Sequence, residues 1–141
     1  MIAIDANLLI YAHRSGERQH RAAQSALEQA ANNPFGWGIP LPCVTEFWMN
    51  VTHPRSSQKP ASPAEASAFL ANLMGAGAKI LYPNATTGRT LAQLAVKMDV
   101  RGPRIFDLQV GVIALQSGAH EFWTHDREFI ALPGLKVRDP L

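Results

Sequence analysis

Met1-Ile2-Ala3-Ile4-Asp5, followed at once by Ala6-Asn7-Leu8-Leu9-Ile10-Tyr11-Ala12, sets how the rest of the chain is read. Four apolar residues stopped by an acid predict a short strand buried on both faces, and the residues from Asn7 to Ala12 can begin a helix directly behind it. The same alternation repeats downstream. From Glu17 to Ala31, Ala22, Ala23, Ala26, Leu27, Ala30 and Ala31 recur at helical spacing, and Asn32-Asn33-Pro34 ends the run. Trp37-Gly38-Ile39-Pro40 reads as a brief strand rather than a binding loop. Pro42 to Thr52 suits a helix with proline in its first turn, and residues 53–63 form a polar, proline-rich loop.

Ser62-Pro63-Ala64-Glu65 has capping-box spacing and predicts a helix running to about Met74, stopped by Gly75 and Gly77. Lys79 to Tyr82 is then a strand, Thr86 or Thr87 to Met98 a helix, and Ile105 to Gln116 another helix fed by the basic loop Arg101-Gly102-Pro103-Arg104. Phe122-Trp123-Thr124 reads as a strand, His125 to Phe129 as a turn or short helix, and Leu135 to Arg138 as a last edge strand. Short strands alternating with longer helices predict an α/β fold: a three-layer α/β/α sandwich around a small, mostly parallel sheet.

The chain has 141 residues and a mass of 15.4 kDa, the size of one domain covering 1–141. With 47% apolar and 17% charged residues it can bury roughly two-thirds of its unfolded surface and needs no covalent staple. The single Cys43 cannot close an intrachain disulfide, and no basic leader precedes the first strand. Gln109 interrupts the longest apolar stretch, so no membrane span is expected and the cytoplasm is the expected location.

Of eleven acidic residues, seven lie in polar surroundings, and four interrupt apolar sequence: Asp5, Glu46 in CVTEFWM, Asp107 in RIFDLQVGVIAL, and Asp126 just after EFWT. A carboxylate at the edge of a core costs several kcal/mol unless it is paired, protonated or bound to a cation. Each of the four could be a helix cap or half of an ion pair, with Arg101, Arg104 and Arg127 nearby in sequence to supply the pairing. Placement argues for something else. Asp5 and Asp126 both stand at the carboxyl ends of predicted strands, the edge of an open α/β sheet where ligands bind. Without the four, thirteen basic residues face seven acidic ones, a net +6 against +2 for the whole chain. A basic surface around one negative pocket suits a polyanion held against a metal site.

The segments IAIDANLLIYA, VTEFW, IFDLQVGVIAL and FWTHDREF, in this order and each with its acid, resemble the PIN-domain nucleases and among them the VapC-type toxins of prokaryotic toxin–antitoxin pairs. The resemblance spans essentially the whole chain. It implies that Asp5, Glu46, Asp107 and Asp126 surround one or two Mg²⁺ or Mn²⁺ ions, with Glu46 a ligand or the orienter of a water. It also implies that Asn7 and Thr124 support the site by hydrogen bonds. The implied activity is metal-dependent hydrolysis of RNA leaving a 5′ phosphate and a 3′ hydroxyl; the implied partners are an RNA substrate, a VapB-type antitoxin and a second copy of the chain. Relatives often carry a further acid near the last aspartate, for which Glu128 is the one candidate here.

Hard oxygen ligands favour Mg²⁺ or Mn²⁺ over zinc, and His13, His20, His53 and His120 show no zinc-ligand spacing. Arg14, Arg101 and Arg104 are candidate phosphate contacts, because the guanidinium fork matches phosphate oxygens. Asn50, one helical turn after Glu46, can face the same pocket; His125 reads as an uncommitted side chain beside a turn. Phe47, Trp48 and Met49 read as core or dimer contact, and Cys43 as a small buried residue with no base partner. Two other functions fit less of the pattern. A phosphatase using Asp5 as nucleophile lacks a second acid at Asn7 and a convincing lysine, and a non-catalytic RNA-binding module would be expected to lose acids that are all present here.

Overall fold

The computed structural model describes residues 1–141. Five strands form one parallel sheet: β1 (Ile2–Ile4), β2 (Trp37–Pro40), β3 (Ala78–Leu81), β4 (Glu121–Trp123) and β5 (Lys136–Arg138), in the order β3-β2-β1-β4-β5. Six helices connect them: α1 (Ala6–His13), α2 (His20–Ala31), α3 (Leu41–Thr52), α4 (Pro63–Gly75), α5 (Thr87–Lys97) and α6 (Arg104–Gln116).

Strand composition follows strand position. Every residue of β1 and β2 is buried, as expected of inner strands covered on both faces. The outermost β5, Lys-Val-Arg, exposes both its charged residues, which protects a free edge from pairing with another chain. Gly38 sits where β2 and β3 approach closely: a Cβ there would lie 2.8 Å from the Lys79 carbonyl oxygen and 2.6 Å from a Leu81 methyl.

The order of connections fixes the layers. From β1 to β2 to β3 the chain steps one way across the sheet, then α5 and α6 carry it back past β1 to β4. Right-handed crossovers in opposite directions place α1 to α4 on one face and α5 and α6 on the other. The strand order therefore reverses between β1 and β4, and a crevice opens at their carboxyl ends. One core of 33 buried apolar residues runs through the molecule, with Trp37, Phe47 and Phe122 its largest fully enclosed side chains.

The predicted elements are present with shifted ends. The Ser62 and Glu65 capping box forms in both halves. Helix α2 starts at His20 rather than Glu17, because Arg14 to Gln19 turn back on themselves through Glu17 N–H to Arg14 and His20 N–H to Glu17. Strand β4 ends at Trp123, yet Thr124 N–H still reaches the Arg138 carbonyl at 3.0 Å, and residues 125–129 form a turn.

Candidate active site

Asp5 follows β1 and caps α1: its backbone N–H donates to the Trp123 carbonyl at 3.0 Å, and its Oδ1 accepts the Ala6 N–H at 2.7 Å. Beside it Thr124 follows β4, because Ile4 and Trp123 are in register. The Thr124 hydroxyl donates to Asp5 Oδ2 at 2.6 Å, and Asn7 Nδ2 bridges Asp5 Oδ2 at 3.0 Å and Thr124 Oγ1 at 2.9 Å. The resemblance implied that Asn7 and Thr124 support the site by hydrogen bonds; in the structure both side chains bond the Asp5 carboxylate.

Glu46 projects from the second turn of α3 and Asp107 from the first turn of α6, so the two helices bring a carboxylate each to the mouth of the crevice. Together with Asp5 they line a groove of about 670 Å³. Asp126 stands apart from the groove lining. It is exposed, its N–H donates to Thr124 Oγ1 at 3.0 Å, and its Oδ1 accepts the Glu128 N–H at 2.9 Å.

The acids nonetheless feel one another. Burial, the largest cause, raises the pKa of Asp5, and Asp107 adds to the rise while hydrogen bonds from Thr124, Ala6 and Cys43 oppose it. Glu46 is raised by burial of its carboxyl and then by Asp5 and Asp107. Asp107 is raised by burial and then by Asp126, with Arg104 opposing. None of the four makes a salt bridge: the ion pairs of the chain are Arg14–Glu17, Arg101–Asp99, His125–Asp139 and Lys136–Glu121. The arrangement is thus not a set of structural ion pairs. It is a row of carboxyls that repel each other, which a cation would stabilise.

The donor set is all oxygen and fits a hard divalent ion, but no three acidic, histidine or cysteine side chains converge into a ready-made ligand cluster. Both Asp5 oxygens already accept protein hydrogen bonds, and Asp126 turns one oxygen to its own turn. Such a site suits Mg²⁺ or Mn²⁺, which is commonly held by few carboxylates and keeps several waters.

Other candidates are placed differently. Arg14 does not face the groove as a phosphate contact. Its Nη2 donates to the Asn50 carbonyl and to Ser56 Oγ, both at 2.7 Å, because the turn after α1 packs against the loop after α3. Arg101 is exposed and paired with Asp99 at 3.1 Å. Arg104 reaches the Glu128 carbonyl at 3.1 Å and lies near Asp107. Asn50 donates back to the Glu46 carbonyl at 3.0 Å instead of entering the groove, and Glu128 is exposed. His125 is committed: its Nδ1 lies 2.9 Å from Asp139 and its ring meets Tyr11 edge-on.

Phe47 is core, whereas Trp48 and Met49 are exposed. Cys43 is buried as expected, with the Asp5 carboxylate 3.7 Å from its Sγ; burial and then Asp5 push the thiol pKa well up. Sequence reasoning missed most of the groove wall: Leu41, Thr45, Met49, Phe106, Gln109 and Phe129. The spacing 41, 45, 49 on α3 and 106, 109 on α6 was open to the same helical arithmetic that singled out the acids. Met49 at 54% and Phe106 at 66% exposure leave an apolar rim open to solvent.

Comparison with known proteins agrees with this fold. The PIN domain family model matches residues 2–135. The chain belongs to the PIN-domain family. This PIN domain is 32% identical over 142 aligned residues to the VapC ribonuclease Mb2897 of Mycobacterium bovis and to ribonuclease VapC43 of Mycobacterium tuberculosis, covering 100% of this chain and 96% of each relative. Ribonuclease VapC33 of Mycobacterium tuberculosis is 27% identical over 148 residues, covering 100% and 99%. Among solved structures, VapC20 of Mycobacterium tuberculosis superposes with a TM-score of 0.68 at 16% identity, over 92% of each chain. VapBC2 of Rickettsia felis, bound to a DNA fragment from its promoter, gives 0.68 at 19% identity over 98% of each chain. These two establish the shared fold.

Proposed function

We propose that this PIN domain is a metal-dependent endoribonuclease and the toxin of a toxin–antitoxin pair. The observation that carries the reading is the row of unpaired, mutually repelling carboxyls at the topological switch point, opening on a groove large enough for several groups of a substrate. Ribonuclease relatives matched along the whole chain support the substrate class, and a solved VapBC complex of the same fold supports an antitoxin partner. A homodimer fits the exposed apolar rim of Leu41, Trp48, Met49 and Phe106. No helix is long and apolar enough to cross a membrane; the cytoplasm, where an RNA substrate would be met, is the location this reading requires.

Asp5, Glu46 and Asp107 would hold the ion, with Asp126 joining from the rim. When bound, Mg²⁺ or Mn²⁺ supplies charge for the phosphoryl oxygens and acidifies water. The protein's own part is positional. Asn7 and Thr124 fix the Asp5 carboxylate, Cys43 covers its buried side, and the α3 and α6 walls hold the phosphodiester against the acids. Arg104, near Asp107 and also bonded to the Glu128 carbonyl, is the cation that would meet a phosphate oxygen.

EDTA is expected to abolish RNA cleavage and Mn²⁺ to restore it. Asp107→Asn is expected to lower cleavage by about 10²- to 10³-fold with an unchanged circular dichroism spectrum. Cleavage that persists in EDTA would refute the reading. The lack of a preformed ligand cluster favours one competitor, a non-catalytic RNA-binding module. Calorimetry separates the two: Mn²⁺ binding that is lost in Asp5→Asn supports the nuclease, and no binding with or without RNA supports the module. The phosphatase reading loses ground, because no lysine lines the groove.

A further inference from the structure

A second polar cavity, of about 180 Å³, lies where the end of α1 meets the loop after α3. It is lined by His13, Arg14, Ser15, Val51, Gln58 and Lys59, none of them acidic. Arg14 ties its two walls together through the Asn50 carbonyl and Ser56 Oγ. Gly16 sits so close to Gln58 that a Cβ there would come within 3.0 Å of Oε1. His13 is held edge-on against Phe47 and Phe69, with ring centroids 5.7 and 5.2 Å away, and its buried Nδ1 has no hydrogen-bond partner. Packing therefore fixes the walls.

The charge there is largely uncompensated. Glu17 pairs with Arg14 at 3.9 Å and Glu65 on α4 acts on His13, while Lys59 has no ion-pair partner and Arg18, Arg21 and Arg55 stand exposed on the adjoining turn, helix and loop. The position relative to the acids is set by α3. Arg14 bonds the Asn50 carbonyl, one helical turn beyond Glu46 on the same helix, about 6 Å along its axis at 1.5 Å rise per residue.

We propose that this cavity binds a backbone phosphate of the RNA away from the bond that is cut. Lys59 is the charge partner and Ser15 and Gln58 the neutral donors, while Arg14 is a positioning residue that keeps the loop against α1. The inference rests on the ribonuclease reading for the identity of its ligand. It moves the recognition role once expected of Arg14 onto the loop that Arg14 holds. Backbone phosphate carries no base identity, so the contact sets strand register and affinity rather than sequence choice.

Filter binding of an end-labelled RNA hairpin of about 20 nucleotides to the full chain in EDTA, across a salt series, tests it. Lys59→Glu is expected to weaken binding about tenfold and to reduce the salt slope by about one. Lys59→Arg should retain affinity, and Lys97→Glu on α5 should leave it unchanged. Unchanged affinity in Lys59→Glu, with the wild-type melting temperature, would overturn the proposal. So would intact RNA binding with lost affinity for a polyglutamate peptide, which would mark a docking surface for an acidic protein segment. Cleavage of the same hairpin in Mn²⁺ reports on the ribonuclease reading separately: wild-type binding sensitive to Lys59→Glu, without cleavage, would sink that reading and leave the cavity assignment standing.

Discussion

Replacing Thr124 by valine removes one oxygen that three partners use. The hydroxyl donates to Asp5 Oδ2 at 2.6 Å and accepts from Asn7 Nδ2 at 2.9 Å and from Asp126 N–H at 3.0 Å. Valine keeps the branched shape, and Thr124 is 1% exposed, so water cannot take the hydroxyl's place. A hydrogen bond to a charged group contributes about 1.5–3 kcal/mol. Asn7 keeps its bond to Asp5, and exposed Asp126 can turn to water, so the two lost acceptor contacts add only about 0.5–1 kcal/mol.

The expected destabilisation is about 2–4 kcal/mol in all. A chain of 141 residues unfolds with an entropy of about 0.3 kcal/mol per kelvin, so the melting temperature should fall by roughly 7–13 °C. Because the Thr124 bond lowers the Asp5 pKa, its loss should raise that pKa further and shift the cleavage profile to higher pH. The assay is metal-free thermal unfolding of Thr124→Val, Asp5→Asn and the double variant. A drop under about 1 kcal/mol, or single effects that simply add, would show that the hydroxyl does not hold Asp5 and would refute the reasoning.

Asp5, Glu46 and Asp107 all have raised pKa values, so each holds its proton more tightly folded than unfolded; their stabilising contribution is present below the ordinary values of 3.8 and 4.5 and is lost as pH rises through the folded-state values. His13, Glu121 and Asp139 shift in the opposite direction, so the measurement is a difference: metal-free wild type should lose stability relative to Asp107→Asn as pH rises above the ordinary Asp value of 3.8. Mn²⁺ should raise the wild-type melting temperature more at pH 8 than at pH 5. Arg14→Ala should cost about 1.5–3 kcal/mol and open the 53–60 loop to limited proteolysis, since its two 2.7 Å bonds hold that loop to α1; resistance equal to wild type would contradict this. Gly38→Ala should destabilise by about 1–3 kcal/mol in chemical denaturation, because the added methyl meets the fixed Lys79 carbonyl.

Much of the fold was legible because its signals are local. The all-apolar stretches of β1 and β2, the Ser62 and Glu65 capping box and the alanine periodicity of α2 each declare an element within a few residues. The four acids stood out for the same reason: a carboxylate inside an apolar run is costly wherever it ends up. Boundaries slipped where a distant partner decided them, as at the turn before α2.

What tertiary structure alone decided is which side chains meet. Strand order places Thr124 against Asp5 across 119 positions of sequence, and no local pattern encodes that register. Arg14 and Arg104 look alike as basic residues near a helix end, yet packing gives one to Asn50 and Ser56 and leaves the other beside Asp107. Asp126 belongs to the acidic set by sequence, but its turn points one oxygen at Glu128 N–H and leaves it at the rim. Residue type fixes what a group needs from its surroundings, whereas the fold, through contacts far apart in the chain, fixes which partner answers that need.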